Sequence, residues 1–130
     1  MKLGATLYIE NTVEAVEFYR QAFGLTLGYH EKNSNGTYMH AELLKNGNEM
    51  FAVSESSNVK FVSMMLGSSL KQSRPTMSYS LNFDTEIEVM NAYELLSKQG
   101  TIVLAIGKLP WSDCCAEVVD KYGVYWYITT

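Results

Sequence analysis

Gly24, the run His40-Ala41-Glu42-Leu43 and the turn glycine Gly47 recur in the same order, and at nearly the same intervals, as Gly100, Cys115-Ala116-Glu117-Val118 and Gly123. The chain is one unit used twice. Each copy reads β-α-β-β-β. In the first copy, LYIE (7–10) is a strand and Val16, Tyr19 and Phe23 recur at helical spacing over 12–23. Asn11 and Glu14 stand at capping-box spacing, with Thr12 as a second N-cap, and Gly24 is the stop. Strands follow at 25–31, 37–44 and 49–54, the last pair joined by an Asn-Gly turn. In the second copy the strand is MSYSLNFD (77–84) and the helix runs over 86–98, with Thr85 and Glu88 at capping-box spacing and Gly100 as the stop. Strands follow at 102–107, 113–119 and 124–129. The Ser-rich stretch 55–76 between the copies reads as a linker or flap, within which Met64 and Met65 suit a hydrophobic plug.

Such a pattern predicts an α+β fold: two βαβββ modules, 1–54 and 77–130, forming a curved mixed sheet around a cleft within a single domain. At 130 residues, 47% hydrophobic and 18% charged, the chain has enough apolar surface for a core. A net charge of -4 argues against a nucleic-acid partner, since phosphate binding needs clustered Lys and Arg. No apolar run approaches the ~20 residues that span a bilayer, and no signal-peptide pattern opens the chain, so a cytoplasmic protein without a membrane partner is expected. Two adjacent cysteines exclude a disulfide framework or a CxxC site. On a strand they point to opposite faces, Cys114 to the core and Cys115 to the cleft wall.

Strand alternation nominates the cleft residues. Leu7 and Ile9 suit the helix side, which turns Tyr8 to the cleft. Met77, Tyr79, Leu81 and Phe83 pack inward, which turns Ser78 outward. Trp126 and Ile128 belong to the core, which leaves Tyr127 on the cleft, and the repeat matches Phe51 to Tyr127. Met39, Ala41 and Leu43 suit the helix side, leaving Tyr38, His40 and Glu42 opposite. Glu117 is the repeat partner of Glu42. Trp111, after Pro110, either lids the pocket or packs an edge. The candidate ligand-binding set is therefore Tyr8, His40, Glu42, Phe51, Ser78, Trp111, Glu117 and Tyr127. Within it, His40 and Glu42 have the spacing of an acid–base pair.

The doubled unit, the helix VEAVEFYRQAFG, and the stretches YMHAELLKNG and LPWSDCCAEVVDKYGVYW resemble the vicinal oxygen chelate superfamily. That superfamily embraces glyoxalases, bleomycin-resistance proteins and extradiol dioxygenases, and the likeness is to its PhnB-like branch. Lys121 stands where the branch usually has proline. The resemblance implies a glyoxalase-like fold and a homodimer. It also implies, in the members that do chemistry, a divalent metal held by one His, Glu or Gln from each of four strands. Here those slots fall on Gly4, Phe51, Ser78 and Tyr127, so no metal and no cofactor is expected. The function this implies is binding of a small organic ligand in the cleft. The alternatives are an enzyme, either a lyase or a metal-free catalyst using His40 and Glu42, and a non-catalytic dimeric scaffold.

Overall fold

Along β1 (Thr6–Ile9), Leu7 and Ile9 are each 4% exposed while Tyr8 between them is 53% exposed. That alternation settles which side of the first module takes the helix. The computed structural model describes residues 1–60 and 75–130, in two compact units, 1–72 and 73–130. In the first, β1 pairs in parallel with β4 (Asn48–Glu55), Leu7 opposite Val53. β3 (Tyr38–Lys45) and β2 (Thr26–Lys32) continue antiparallel, giving the order β1-β4-β3-β2. A parallel pair cannot be closed by a hairpin, and its crossover carries α1 (Thr12–Phe23). Ala15, Val16, Tyr19, Ala22 and Phe23 of α1 are buried, as are Ala41, Leu43, Phe51 and Val53 of the sheet. Each buried Val, Leu or Phe among them stabilises the fold by about 1.5–3 kcal/mol.

The start of α1 departs from expectation. Asn11 adopts a left-handed conformation (φ 60°) and its side chain caps nothing; its amide donates to Glu14 instead (2.9 Å). Glu55 does the capping. It ends β4 rather than opening a linker, and it is buried. Its carboxylate accepts from the backbone N–H of Asn11 (3.3 Å) and of Thr12 (3.2 Å) and from the Thr12 hydroxyl (3.0 Å). The same hydroxyl accepts from the Tyr38 N–H (2.8 Å). Gly24 ends the helix with φ 62°, as expected.

The second module repeats the topology in the order β5-β8-β7-β6. Its elements are β5 (Tyr79–Asn82), α2 (Glu86–Ser97), β6 (Thr101–Leu109), β7 (Ser112–Val119) and β8 (Tyr125–Thr129). The Thr85–Glu88 capping box forms as expected. Val89, Ala92 and Leu96 of α2 are fully buried, with Ala116, Val118, Trp126 and Ile128 of the sheet. Asp120 holds the last turn, accepting from the N–H groups of Tyr122 (2.9 Å) and Val124 (3.1 Å) and from the Trp126 indole (2.8 Å). Glycines 47 and 123 both take positive φ, 78° and 84°, so the turn match is structural as well as sequential.

Two differences concern the linker and the second helix stop. Ser56–Val59 form a short 3₁₀ turn, and residues 61–74, with Met64 and Met65, lie outside the described residues. The left-handed residue after α2 is Gln99 (φ 60°), not Gly100. Gly100 is needed for space: a Cβ there would lie 2.5 Å from the Leu96 carbonyl oxygen and 2.7 Å from that of Val119. Among the described residues no helix is long and apolar enough to cross a membrane.

Because backbone oxygens cannot move aside as a flexible side chain can, Gly100→Ala is expected to destabilise by about 1–3 kcal/mol in chemical denaturation. Gly107→Ala, whose Cβ would meet nothing nearer than 3.9 Å, is expected to stay within about 0.5 kcal/mol of the parent.

Candidate functional site

With each helix on one face of its sheet, strand register fixes what the other face presents. In the first module, Thr6 pairs with Ala52 and Tyr8 with Ser54, Glu42 also pairs with Ala52, and His40 pairs with Glu31. This face therefore carries Tyr8, Ala52, Ser54, His40, Glu42 and Glu31. Tyr29 belongs to it too. The Tyr29 hydroxyl donates to Glu31 (2.7 Å), and its ring lies 6.2 Å from that of His40. His40 Nε2 stands 3.4 Å from Glu42 Oε1, both groups partly exposed. The hydrogen bond to Glu31, then the charge of Glu31, raises the Tyr29 phenol above its usual range. Tyr29 and Glu31 escaped the sequence reading, although their i, i+2 spacing is the same signal that singled out His40 and Glu42.

Two expectations for this module are corrected. Phe51 is not on the open face. It is 3% exposed and packs edge-on against Tyr19 (5.6 Å) and Phe23 (6.3 Å) of α1. The register between β3 and β4 shifts after Leu43–Phe51, so Met50 is an extra residue and counting from the turn slips by one. The counterpart of Tyr127 is Ala52: Tyr127 pairs with Glu117 as Ala52 pairs with Glu42. Tyr38 is likewise buried rather than beside His40. A second shift, between Glu31–His40 and Lys32–Tyr38, leaves Met39 unpaired and half exposed. The Tyr38 ring then meets His30 (5.6 Å), whose strand partner is Ala41 of the helix side.

In the second module, Glu117 pairs with Tyr127, Ser80 with Tyr127, and Cys115 and Asn82 with Thr129. Ser78 is exposed and lies just before β5. Trp111 is 72% exposed in the turn between β6 and β7, and its Nε1–H donates to the Tyr127 hydroxyl (3.0 Å). Three of the nominated residues, Trp111, Glu117 and Tyr127, are thus neighbours. Tyr125 joins them: burial, then the charge of Glu117 and a hydrogen bond to it, raises its phenol. Cys114 and Cys115 are both buried, on opposite faces as alternation requires. Burial, then the charge of Glu86, pushes the Cys114 thiol up, away from the lowered range of thiols activated as nucleophiles.

The metal slots can be tested on this register. On β1 and β4 the positions turned from α1 are Thr6, Tyr8, Ala52 and Ser54; on β5 and β8 those turned from α2 are Ser80, Asn82, Tyr127 and Thr129. None is an imidazole or carboxylate, the donors such a divalent site uses. Among the described residues no three His, Cys, Asp or Glu group to hold a metal ion. These residues do not fit the superfamily's metal.

A family model described as 3-demethylubiquinone-9 3-methyltransferase matches residues 3–129. The chain belongs to this family. Among solved structures, the PhnB protein of Bacillus cereus is 26% identical over 99% of this chain and 98% of that one, with a TM-score of 0.73. Protein PA1353 of Pseudomonas aeruginosa is 21% identical over 99% and 96%, with a TM-score of 0.75. A glyoxalase/bleomycin resistance protein/dioxygenase family enzyme of Burkholderia phytofirmans PsJN is 15% identical over 95% and 93%, with a TM-score of 0.66. The PhnB-like fold of the vicinal oxygen chelate superfamily is therefore shown. None of the curated proteins matches the chain.

For this PhnB-like chain the two raised phenols give a titration prediction. Tyr29 and Tyr125 are expected to ionise above the usual value of about 10. Glu117→Gln should bring the Tyr125 step down, read as phenolate absorbance. A folded-state pKa raised above the unfolded one adds stability that is complete below about pH 10 and is lost as pH climbs through the folded value. Denaturation midpoints should therefore fall more steeply above pH 10 in the parent than in Tyr125→Phe.

Proposed function

We propose that this protein binds a small organic ligand without a metal or other cofactor, in the cytoplasm, as a homodimer with neither a nucleic-acid nor a membrane partner. The observation that carries the ligand-binding reading is the group Trp111, Tyr127, Glu117 and Tyr125. It is an exposed indole, two phenols and a carboxylate on the sheet face that does not take the helix. Aromatic surface with a few fixed polar groups is what small-molecule sites are made of. Ser78 of the second module is assigned to the same function as polar lining; Tyr8, His40 and Glu42 are assigned ligand contact on the open face of the first module by itself, and Phe51 is not.

The enzyme reading rests on a separate observation, the approach of His40 to Glu42 beside Tyr29. An imidazole and a carboxylate 3.4 Å apart can pass a proton between them, which suits general acid–base catalysis. The family description names methyl transfer to 3-demethylubiquinone-9. Such a ring-bearing, oxygen-substituted molecule falls within the ligand class proposed.

A thermal-shift and calorimetric panel of neutral aromatic, phenolic and glycopeptide compounds tests the binding reading, with a demethylated quinol and S-adenosylmethionine added. Saturable binding of at least one compound is expected, with no methylated product and less than one metal ion per chain by elemental analysis of protein purified without chelator. Failure of every compound to bind would overturn binding. Stoichiometric metal would overturn the metal-free assignment. Turnover abolished in His40→Ala and Glu42→Gln would instead establish the enzyme. Sedimentation equilibrium checks the dimer.

A further inference from the structure

Trp111 and Tyr127, we propose, are a preformed recognition element for a neutral planar aromatic compound that carries a hydrogen-bond acceptor such as a lactone or ketone carbonyl. The inference rests on the binding reading above and narrows it to a ligand class.

It starts from the turn. Pro110 and Trp111 alone link β6 to β7, where Leu109 pairs with Ser112. The turn is tied down to the neighbouring strand. The Ser112 hydroxyl meets that of Thr129 on β8 (2.6 Å) and also accepts from the Cys114 N–H (3.2 Å). Trp111 adds a second tie through its bond to Tyr127 (3.0 Å). Tyr127 is itself fixed, since Trp126 and Ile128 on either side are 1% and 0% exposed. The indole is therefore held in one orientation while 72% exposed. An aromatic plate ordered before a ligand arrives loses little further rotamer freedom on binding.

The hydrogen bond also sorts the chemistry of the two groups. The indole has one polar hydrogen, and it is used. What Trp111 offers outward is apolar ring, suited to stacking. The Tyr127 oxygen accepts that bond, so its own hydrogen remains to donate. Accepting one hydrogen bond strengthens a hydroxyl as a donor. The pair thus presents a ring surface with a donor beside it, which fits a planar ring with an acceptor.

Charge excludes the anionic members of that class. Glu117 is the cross-strand partner of Tyr127, and it already receives the Tyr125 hydroxyl. A carboxylate or phenolate on the ligand would meet this charge at close range. A neutral carbonyl meets only the dipole.

Three probes of similar size separate these elements: coumarin, naphthalene and 2-naphthoate, titrated by calorimetry and by quenching of indole emission. Coumarin is expected to bind at least tenfold more tightly than either of the others. Tyr127→Phe, which removes both the donor and the acceptor that orders the indole, should weaken coumarin at least tenfold and naphthalene by clearly less. Trp111→Ala should abolish binding of all three, with Trp111→Phe retaining part of it. Glu117→Gln should raise naphthoate affinity selectively. Circular dichroism and denaturation midpoints confirm that each variant folds; Trp111→Phe and Glu117→Gln carry the test if Tyr127→Phe does not. Coumarin binding that ignores Trp111 and Tyr127, or equal loss for coumarin and naphthalene in Tyr127→Phe, would overturn the assignment and reduce the pair to a brace on the hairpin. So would a parent that binds no coumarin. Binding of another panel compound, unaffected by these variants, would overturn this element and leave the binding reading standing.

Discussion

Parallel pairing of β1 with β4, and of β5 with β8, is the constraint from which the rest of each module follows. Two parallel neighbours oblige the chain to travel back along the sheet before the second strand can start. The helix rides on that return and must cover one face. Once it does, every side chain of the paired strands is committed. Leu7, Ile9 and Val53 go under α1, while Thr6, Tyr8 and Ala52 turn away. Leu81, Trp126 and Ile128 follow the same rule in the second module, leaving Ser80, Tyr127 and Thr129. The functional face is what burial of the other face leaves behind, so the positions that form it are as strictly addressed as those of the core.

The two modules reach this arrangement by different local chemistry. The second starts its helix with a capping box drawn from adjacent residues, Thr85 and Glu88. The first starts its helix with a carboxylate more than forty residues away, Glu55 of β4. Burying a carboxylate is costly unless its oxygens are used, and here three donors at a helix N-terminus use them. Glu55 thereby ties the end of β4 to the start of α1, and Thr12 extends the tie to β3 through the Tyr38 N–H. The first module is closed by a tertiary interaction where the second is closed by a local one.

That distinction accounts for what the sequence disclosed. The repeat, both helices, the Thr85–Glu88 cap, the matched turn glycines and the shared register of Glu42 and Glu117 all depend on local spacing, and all were legible. The Glu55 cap was not, because no spacing rule relates residues 12 and 55. Phe51 and Tyr38 were misplaced for one common reason. Alternation counts residues with period two, and an unpaired residue shifts the count. Met50 and Met39 are those residues. Neither is a Gly, nor does either stand beside a Pro that would have marked an irregularity. Of the nominated site, Tyr8, His40, Glu42, Glu117 and Tyr127 lie on the faces expected, because no bulge stands between them and the landmarks used to count.

Register also shows how far the copies have diverged around a retained group. A glutamate stands at the same position of β3 and β7. In the first module its neighbours are His40 on its own strand and Ala52 across, with Tyr29 nearby. In the second, the place of His40 is taken by Cys115 and that of Ala52 by Tyr127. Exchanging alanine for tyrosine adds ring surface and a hydroxyl donor. Exchanging histidine for a fully buried cysteine removes an imidazole from beside the carboxylate. The first copy has kept proton-carrying groups together, and the second has gathered aromatic surface around the same carboxylate. A duplicated sheet permits this because each face is specified independently of the core beneath it. Substitutions at every second residue alter what a strand offers outward while the buried residues between them, Trp126 and Ile128 or Val53, continue to hold the helix.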